Sequence, residues 1–173
     1  ITLWTEVNDL NTARRLGCSG GPYTSAIVSG GYTSTNVGNT ETWNGSTWTE
    51  TTDMNTARRN MTGNTGTQTS SIVAGGKTTA VLANSESWNG SAWTETTDLN
   101  TGSTVQGAGG DYTAGLIFGG INPSGTTGET EEWNGSSWTE VNDLNTARRD
   151  VGSSLGGSPT ANLAFLGGPP YTA

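Results

Sequence analysis

The sequence contains no histidine, one cysteine, and seven lysine or arginine residues against fifteen aspartates and glutamates. Without histidine there is no His-based triad, no histidine general base and none of the commonest zinc sites. Cys18 stands alone, so no intrachain disulfide forms and stability must come from packing. It reads as a small residue buried in a crowded strand rather than a reactive thiol. The shortage of positive charge leaves a net charge of −8 and a pI near 4.3. Phosphate backbones and anionic lipid repel such a chain, so neither nucleic acid nor membrane insertion is expected. No hydrophobic run reaches transmembrane length, no signal peptide is expected, no DxDxDG calcium loop occurs, and no cofactor is expected.

Apolar residues make up only 30% of the chain, which together with the acidity leans towards disorder. The seven tryptophans argue against it, because all fall at regular positions: Trp4, Trp43, Trp48, Trp88, Trp93, Trp133 and Trp138. The stretch WNGSTWTE from Trp43 returns as WNGSAWTE from Trp88 and WNGSSWTE from Trp133. Asn-Gly flanked by Thr, Ser and Trp predicts a β-hairpin with a two-residue turn at Asn44-Gly45, which sets Trp43 opposite Ser46 and Glu41 opposite Trp48. Gly-Gly pairs recur at 30, 75, 119 and 167. A third signal opens each unit: DLNTARR at Asp9, DMNTARR at Asp53, DLNTGST at Asp98 and DLNTARR at Asp143.

One unit of about 45 residues therefore runs turn, strand, strand, Gly-Gly, strand, Asn-Gly, strand. The first strand is rich in Gly and Ser, as suits a place where backbones converge. The second is a short apolar run, as in Ile72 to Ala74, without the alternation of a half-exposed strand. Four antiparallel strands, small inside, apolar in the middle and aromatic outside, describe a propeller blade. The expected fold is one all-β domain over 1–173, a β-propeller of four blades. Its units are about 8–50, 51–95, 96–140, and 141–173 together with 1–7.

These residues resemble the kelch-repeat β-propeller family: a Gly-Gly closes the second strand, an aromatic lies in the third, a Trp in the fourth, and an NTAR-like turn leads onward. The resemblance covers nearly the whole chain. Departures are Trp where the family usually has Tyr in the third strand, and a missing Arg pair at Gly102 to Thr104. The phrases LNTARR, WNGSxWTE and GTQT are also similar to kelch-like arrays in marine bacteriophage structural and tail-associated proteins. The WNGSTW hairpin is similar to the Asp-box turn of sialidase-type propellers, one residue short, and implies no sialidase activity.

ITLWTE at the start reads as a fourth strand with no preceding strands, while residues 150–168 supply a first and second strand with no hairpin after them. Pairing the two closes a ring, with the N-terminal strand completing the last blade. The alternative is a half-propeller completed by oligomerisation.

In such a meander the loops after Gly-Gly and the DLNTARR loops share one end, and the former vary most between units. Function resides on variable loops held by a rigid scaffold, so that end is the candidate surface. Its distinctive side chains are Tyr32, Asn36, Lys77 and Asn122, joined by Arg15, Arg59 and Arg149. In each Arg pair the neighbours point to opposite faces. One Arg is expected to meet Asp9, Asp53, Asp143 or a neighbouring unit. The other faces the axis, where an anion or acidic sugar would bind. The tryptophans are expected to be packing residues, because they repeat in every unit. Glu41, Glu86 and Glu131 repeat too, unlike the dissimilar carboxylates of a glycosidase, and are expected to be solvated or to bond between units. The expected function is a non-enzymatic adhesion module, recognising glycans or a surface receptor, extracellular or on a virion. The alternative is a structural propeller contacting other structural proteins in a larger assembly.

Overall fold

The computed structural model describes residues 4–61, 65–154, 158 and 160–168. All the regular structure in them is β. Three successive units each form a four-stranded antiparallel sheet. The first comprises β1 (Cys18–Gly20), β2 (Ala26–Tyr32), β3 (Asn36–Trp43) and β4 (Trp48–Glu50). The second comprises β5 (Thr65–Thr67), β6 (Ser70–Ala74), β7 (Ser85–Trp88) and β8 (Trp93–Glu95). The third has β9 (Gly107–Gly110), β10 (Gly115–Phe118), β13 (Thr130–Trp133) and β14 (Trp138–Glu140), with a small hairpin of β11 (Ile121–Asn122) and β12 (Gly125–Thr126) at one end. The described residues of the fourth unit form a two-stranded sheet, β15 (Arg149–Ser153) and β16 (Ala164–Gly168).

The hairpin register corrects the expectation. Trp43 lies opposite Trp48, and Glu41 opposite Glu50, so Asn44 to Thr47 form the loop with its tip at Gly45 and Ser46. The Asn44 side chain is the cause. Its Oδ1 accepts the N–H groups of Ser46 and Thr47, both at 2.9 Å, which builds an Asx turn in place of a two-residue turn. The paired indoles then tilt against each other at 5.3 Å between ring centroids in each of the three hairpins.

Successive sheets meet through their first strands, β1 against β5, β5 against β9, and β9 against β15. Three recurring bonds explain the repeat. The second glycine of each pair donates its N–H to the next unit, Gly31 to Arg58 O, Gly76 to Ser103 O and Gly120 to Arg148 O, at 2.9, 2.8 and 2.7 Å. The first glycine must be glycine: at Gly30, where φ is +60°, a Cβ would lie 2.8 Å from Arg58 O. A ladder of left-handed residues follows. Asn60 N–H donates to Leu16 O, Val105 to Asn60 O, and Asp150 to Val105 O, and these four residues have φ between 53° and 61°. The third bond comes from the fourth-strand tryptophan, whose Nε1–H reaches back to a hydroxyl of the preceding unit: Trp93 to Thr40 at 2.9 Å and Trp138 to Ser85 at 3.0 Å. Around it packs an apolar cluster, Ile27, Met54, Val73, Trp88 and Trp93 at the first seam.

Of the expected N-terminal strand, residues 1–3 lie outside the described residues and the remainder takes no strand. Residues 4–10 carry no strand, and Trp4 is fully exposed. A fourth strand needs a third to pair with, and β16 pairs only with β15 among the described residues. The stretch after Gly168 lies outside those residues.

Candidate functional site

The Gly-Gly end is built by short antiparallel pairings between the NTARR turn and the residue after Gly-Gly: Arg15 with Tyr32, Arg59 with Lys77, and Thr104 with Ile121. Directly opposed residues on such a bridge share a face. The first two units therefore present Arg15 beside Tyr32 and Arg59 beside Lys77. The two pairs meet across the seam. The Arg59 guanidinium lies 4.8 Å from the centre of the Tyr32 ring and that of Arg15 lies 5.5 Å away. A guanidinium at that range is drawn to the ring's negative face. Arg59 also donates from Nη1 to Asn36 Oδ1 at 2.5 Å. Tyr32 and Asn36 pair with each other across the β2–β3 ladder.

Four of the seven candidate residues, Arg15, Tyr32, Asn36 and Arg59, thus form one contact cluster, and Lys77 adjoins it through its bridge with Arg59. The other two stand apart from it. Asn122 holds its own hairpin, donating to Glu129 at 3.0 Å and accepting from Ser124 N–H at 2.8 Å. Arg149 sits on β15 in the fourth unit, opposite Gly168, with its nearest carboxylate, Asp150, at 3.9 Å.

The other arginine of each pair is structural, though its partner is not the expected aspartate. Arg14 bonds Glu41 and Arg58 bonds Glu86, and all four side chains are essentially shielded from solvent. The carboxylates sit in a seat that sequence reasoning missed. Glu41 Oε2 accepts Asn11 N–H at 2.7 Å and Asn11 Nδ2 at 2.9 Å, and Oε1 accepts Thr12 N–H at 3.2 Å. Glu86 repeats this with Asn55 and Thr56, and Glu131 with Asn100 and Thr101. The signal was in the sequence: an LNT or MNT whose Asn precedes each of these glutamates by 30 or 31 positions. Asp9, Asp53 and Asp143 form no ion pair with the arginines among the described residues.

Burial pushes the Glu41 carboxyl upward. The Arg14 hydrogen bond, the two backbone N–H donors and the Arg14 charge outweigh it and hold the group below its ordinary value. Cys18, buried in β1, is pushed up to about 12, chiefly by burial. Its thiol donates to Ser29 O at 3.4 Å.

Arg14 and Arg58 being consumed inside the fold, Arg15, Arg59 and Lys77 have no carboxylate within ion-pair reach among the described residues. Three cations converge on one face of a chain whose net charge is −8. The Arg15 and Arg59 guanidiniums both approach the one Tyr32 ring, at 5.5 and 4.8 Å from its centre. Five of the seven tryptophans, Trp43, Trp88, Trp93, Trp133 and Trp138, are buried in the packing, while Trp48 is half-buried and Trp4 exposed. Among the described residues no cluster of acidic and cysteine side chains is arranged to hold a metal ion. No protein-family model matches the chain, and comparison with curated proteins finds no match.

Proposed function

We propose that the chain is a non-enzymatic binding module whose four units are blades of a kelch-like β-propeller, and that its ligand is an acidic glycan or a glycan-bearing surface receptor. The observation that carries this reading is the convergence of Arg15, Arg59 and Lys77 on Tyr32 and Asn36. Guanidiniums with no carboxylate partner among the described residues are positioned for a ligand anion, and the tyrosine limits the rotamer entropy lost on binding. The serial seams support the propeller reading, since rigid units hold the variable loops in fixed relation. Such modules act at cell or virion surfaces, where polyanionic glycans are exposed, and the phage-like phrases agree with that setting.

A second reading, a structural propeller in a larger assembly with other proteins, is favoured by β16, which pairs with β15 alone among the described residues. A glycan array that includes uronate and sulfated polysaccharides separates the two. Binding that disappears in Tyr32→Ala and Arg59→Ala, with near-UV circular dichroism unchanged, supports the glycan module. A blank array contradicts it.

A further inference from the structure

The three Asn-Gly turns share one backbone and differ in one side-chain bond. Gly45, Gly90 and Gly135 have φ of +93°, +93° and +92°. In each turn the asparagine Oδ1 accepts two N–H groups, from Ser46 and Thr47, Ser91 and Ala92, or Ser136 and Ser137. The amide nitrogen is where they part. Asn44 Nδ2 donates to the Thr47 hydroxyl at 3.1 Å, and Asn134 Nδ2 donates to the Ser137 hydroxyl at 3.2 Å. Asn89 has Ala92 in that place, and its Nδ2 has no hydrogen-bond partner among the described residues.

All three asparagines and the glycines that follow them are exposed, and the glycine N–H groups make no hydrogen bond among the described residues. Glycine puts no Cβ in the path of its own nitrogen towards the preceding side chain, so ring closure is sterically open. The chemistry needs only water and base from solvent. The glycine N–H gives up its proton, the nitrogen bonds to asparagine Cγ, and the Cγ–Nδ2 bond breaks with loss of ammonia. Water then opens the cyclic imide. Attack at Cγ gives an aspartyl residue in an unchanged main chain, whereas attack at the α-carbonyl gives an isoaspartyl residue whose main chain runs through Cγ. The carboxamide must leave its turn bonds before the ring can close, so each bond that holds it raises the barrier.

We propose that Asn89 is a self-modification site, converted to aspartyl and isoaspartyl products by the Gly90 nitrogen faster than Asn44 and Asn134 are converted in their own turns. The two products act differently on the fold. Asp111 already stands in a turn of this kind, its Oδ1 accepting Thr113 N–H at 2.7 Å and Ala114 N–H at 3.0 Å. The aspartyl product therefore keeps the hairpin and adds a negative charge at its tip. The isoaspartyl product lengthens the main chain inside a loop whose ends are fixed by the Trp88 and Trp93 pairing. That loop also accepts a bond from the segment after β4, Thr52 Oγ1 to Ser91 O at 2.8 Å, which the longer chain displaces. No residue of this turn belongs to the Arg15 and Tyr32 face, so the modification and glycan binding stand or fall independently.

The test holds the folded full chain at mildly alkaline pH, samples it over time, and places each amide-to-acid conversion by peptide mass spectrometry with fragmentation. Asn89 should convert roughly 3- to 10-fold faster than Asn44 or Asn134, the weight of one hydrogen bond. In the chain unfolded by guanidinium chloride the three rates should draw together, because the anchoring bond exists only in the fold. Ala92→Ser should supply the missing hydroxyl and slow Asn89 to the rate of Asn134. Thr47→Ala should raise Asn44 to the rate of Asn89. Residue 47 is exposed and residue 92 half-buried, and the comparison within the parent chain stands without either variant. Equal rates at the three positions in the folded chain overturn the proposal. So does a preference for Asn89 that Ala92→Ser leaves unchanged, or one that persists undiminished in the unfolded chain.

Discussion

Arg58 donates to Glu86 with both side chains wholly shielded from solvent, and the pair ties the NTARR turn at the head of a unit to that unit's third strand. Removing one partner leaves a buried charge uncompensated. Glu86→Gln or Arg58→Met should therefore lower stability by about 3–5 kcal/mol in denaturant unfolding. The third unit provides an internal control, since Ser103 stands where the arginine would be and Glu131 relies on N–H donors alone. Glu131→Gln should cost only about 1–2 kcal/mol, as no guanidinium is stranded. Equal losses at the two positions would show that the backbone seat, and not the ion pair, carries the energy.

The seam tryptophans and Trp4 share a motif and differ in environment. Trp93→Ala empties a packed seam and removes the bond to Thr40, so it should cost about 3–5 kcal/mol. Trp4→Ala touches a fully exposed side chain and should change stability by less than about 0.5 kcal/mol. Thermal unfolding of both variants checks this. A large effect at Trp4 would mean that the N-terminal segment docks in solution.

Acid should weaken the first unit through Glu41. Its carboxyl is held below the ordinary value of 4.5, so the folded state releases this proton more readily than the unfolded chain does. The associated stability is complete above the unfolded value and is lost as pH falls through the lower, folded value. Stability measured from pH 6 down to about pH 3 should fall less steeply in Glu41→Gln than in the parent chain.

Cys18 should behave in the opposite sense. Its folded value is raised from 9.0 to about 12, so the unfolded chain loses the proton first, and stability should decline as pH rises through that window. At pH about 8 a thiol reagent should react only as fast as the protein unfolds. Prompt labelling of the native protein would contradict the buried position of β1.

Much of the strand order was legible because its causes are local. Gly-Gly marks a place where a Cβ would strike the next unit's backbone, and short apolar runs mark the second strands. The variable loops at one end singled out Tyr32, Asn36, Lys77, Asn122, Arg15, Arg59 and Arg149 together, but not the contact of Arg15, Arg59 and Asn36 around Tyr32, which joins two units across a seam. Two features were not. The hairpin register depended on whether Asn44 would give its side chain to the turn, which sequence spacing does not decide. The glutamate seat joins residues some 30 positions apart, and only the fold shows that Asn11 and Thr12 present their N–H groups to Glu41. Within the described part of the expected N-terminal strand, Trp4 to Glu6 carry the motif without a strand, because a matching motif pairs only where a neighbour is present to pair with.

The most direct test of the account is equilibrium binding of an acidic polysaccharide, sulfated or uronate-rich, to the parent chain, Arg59→Ala and Arg149→Ala side by side at low and high salt. Binding by the parent chain that weakens with salt, falls at least ~10-fold in Arg59→Ala and stays within ~2-fold in Arg149→Ala is the predicted result. No binding by the parent chain, or equal loss in the two variants, would contradict a ligand site at the Arg15, Tyr32 and Arg59 face.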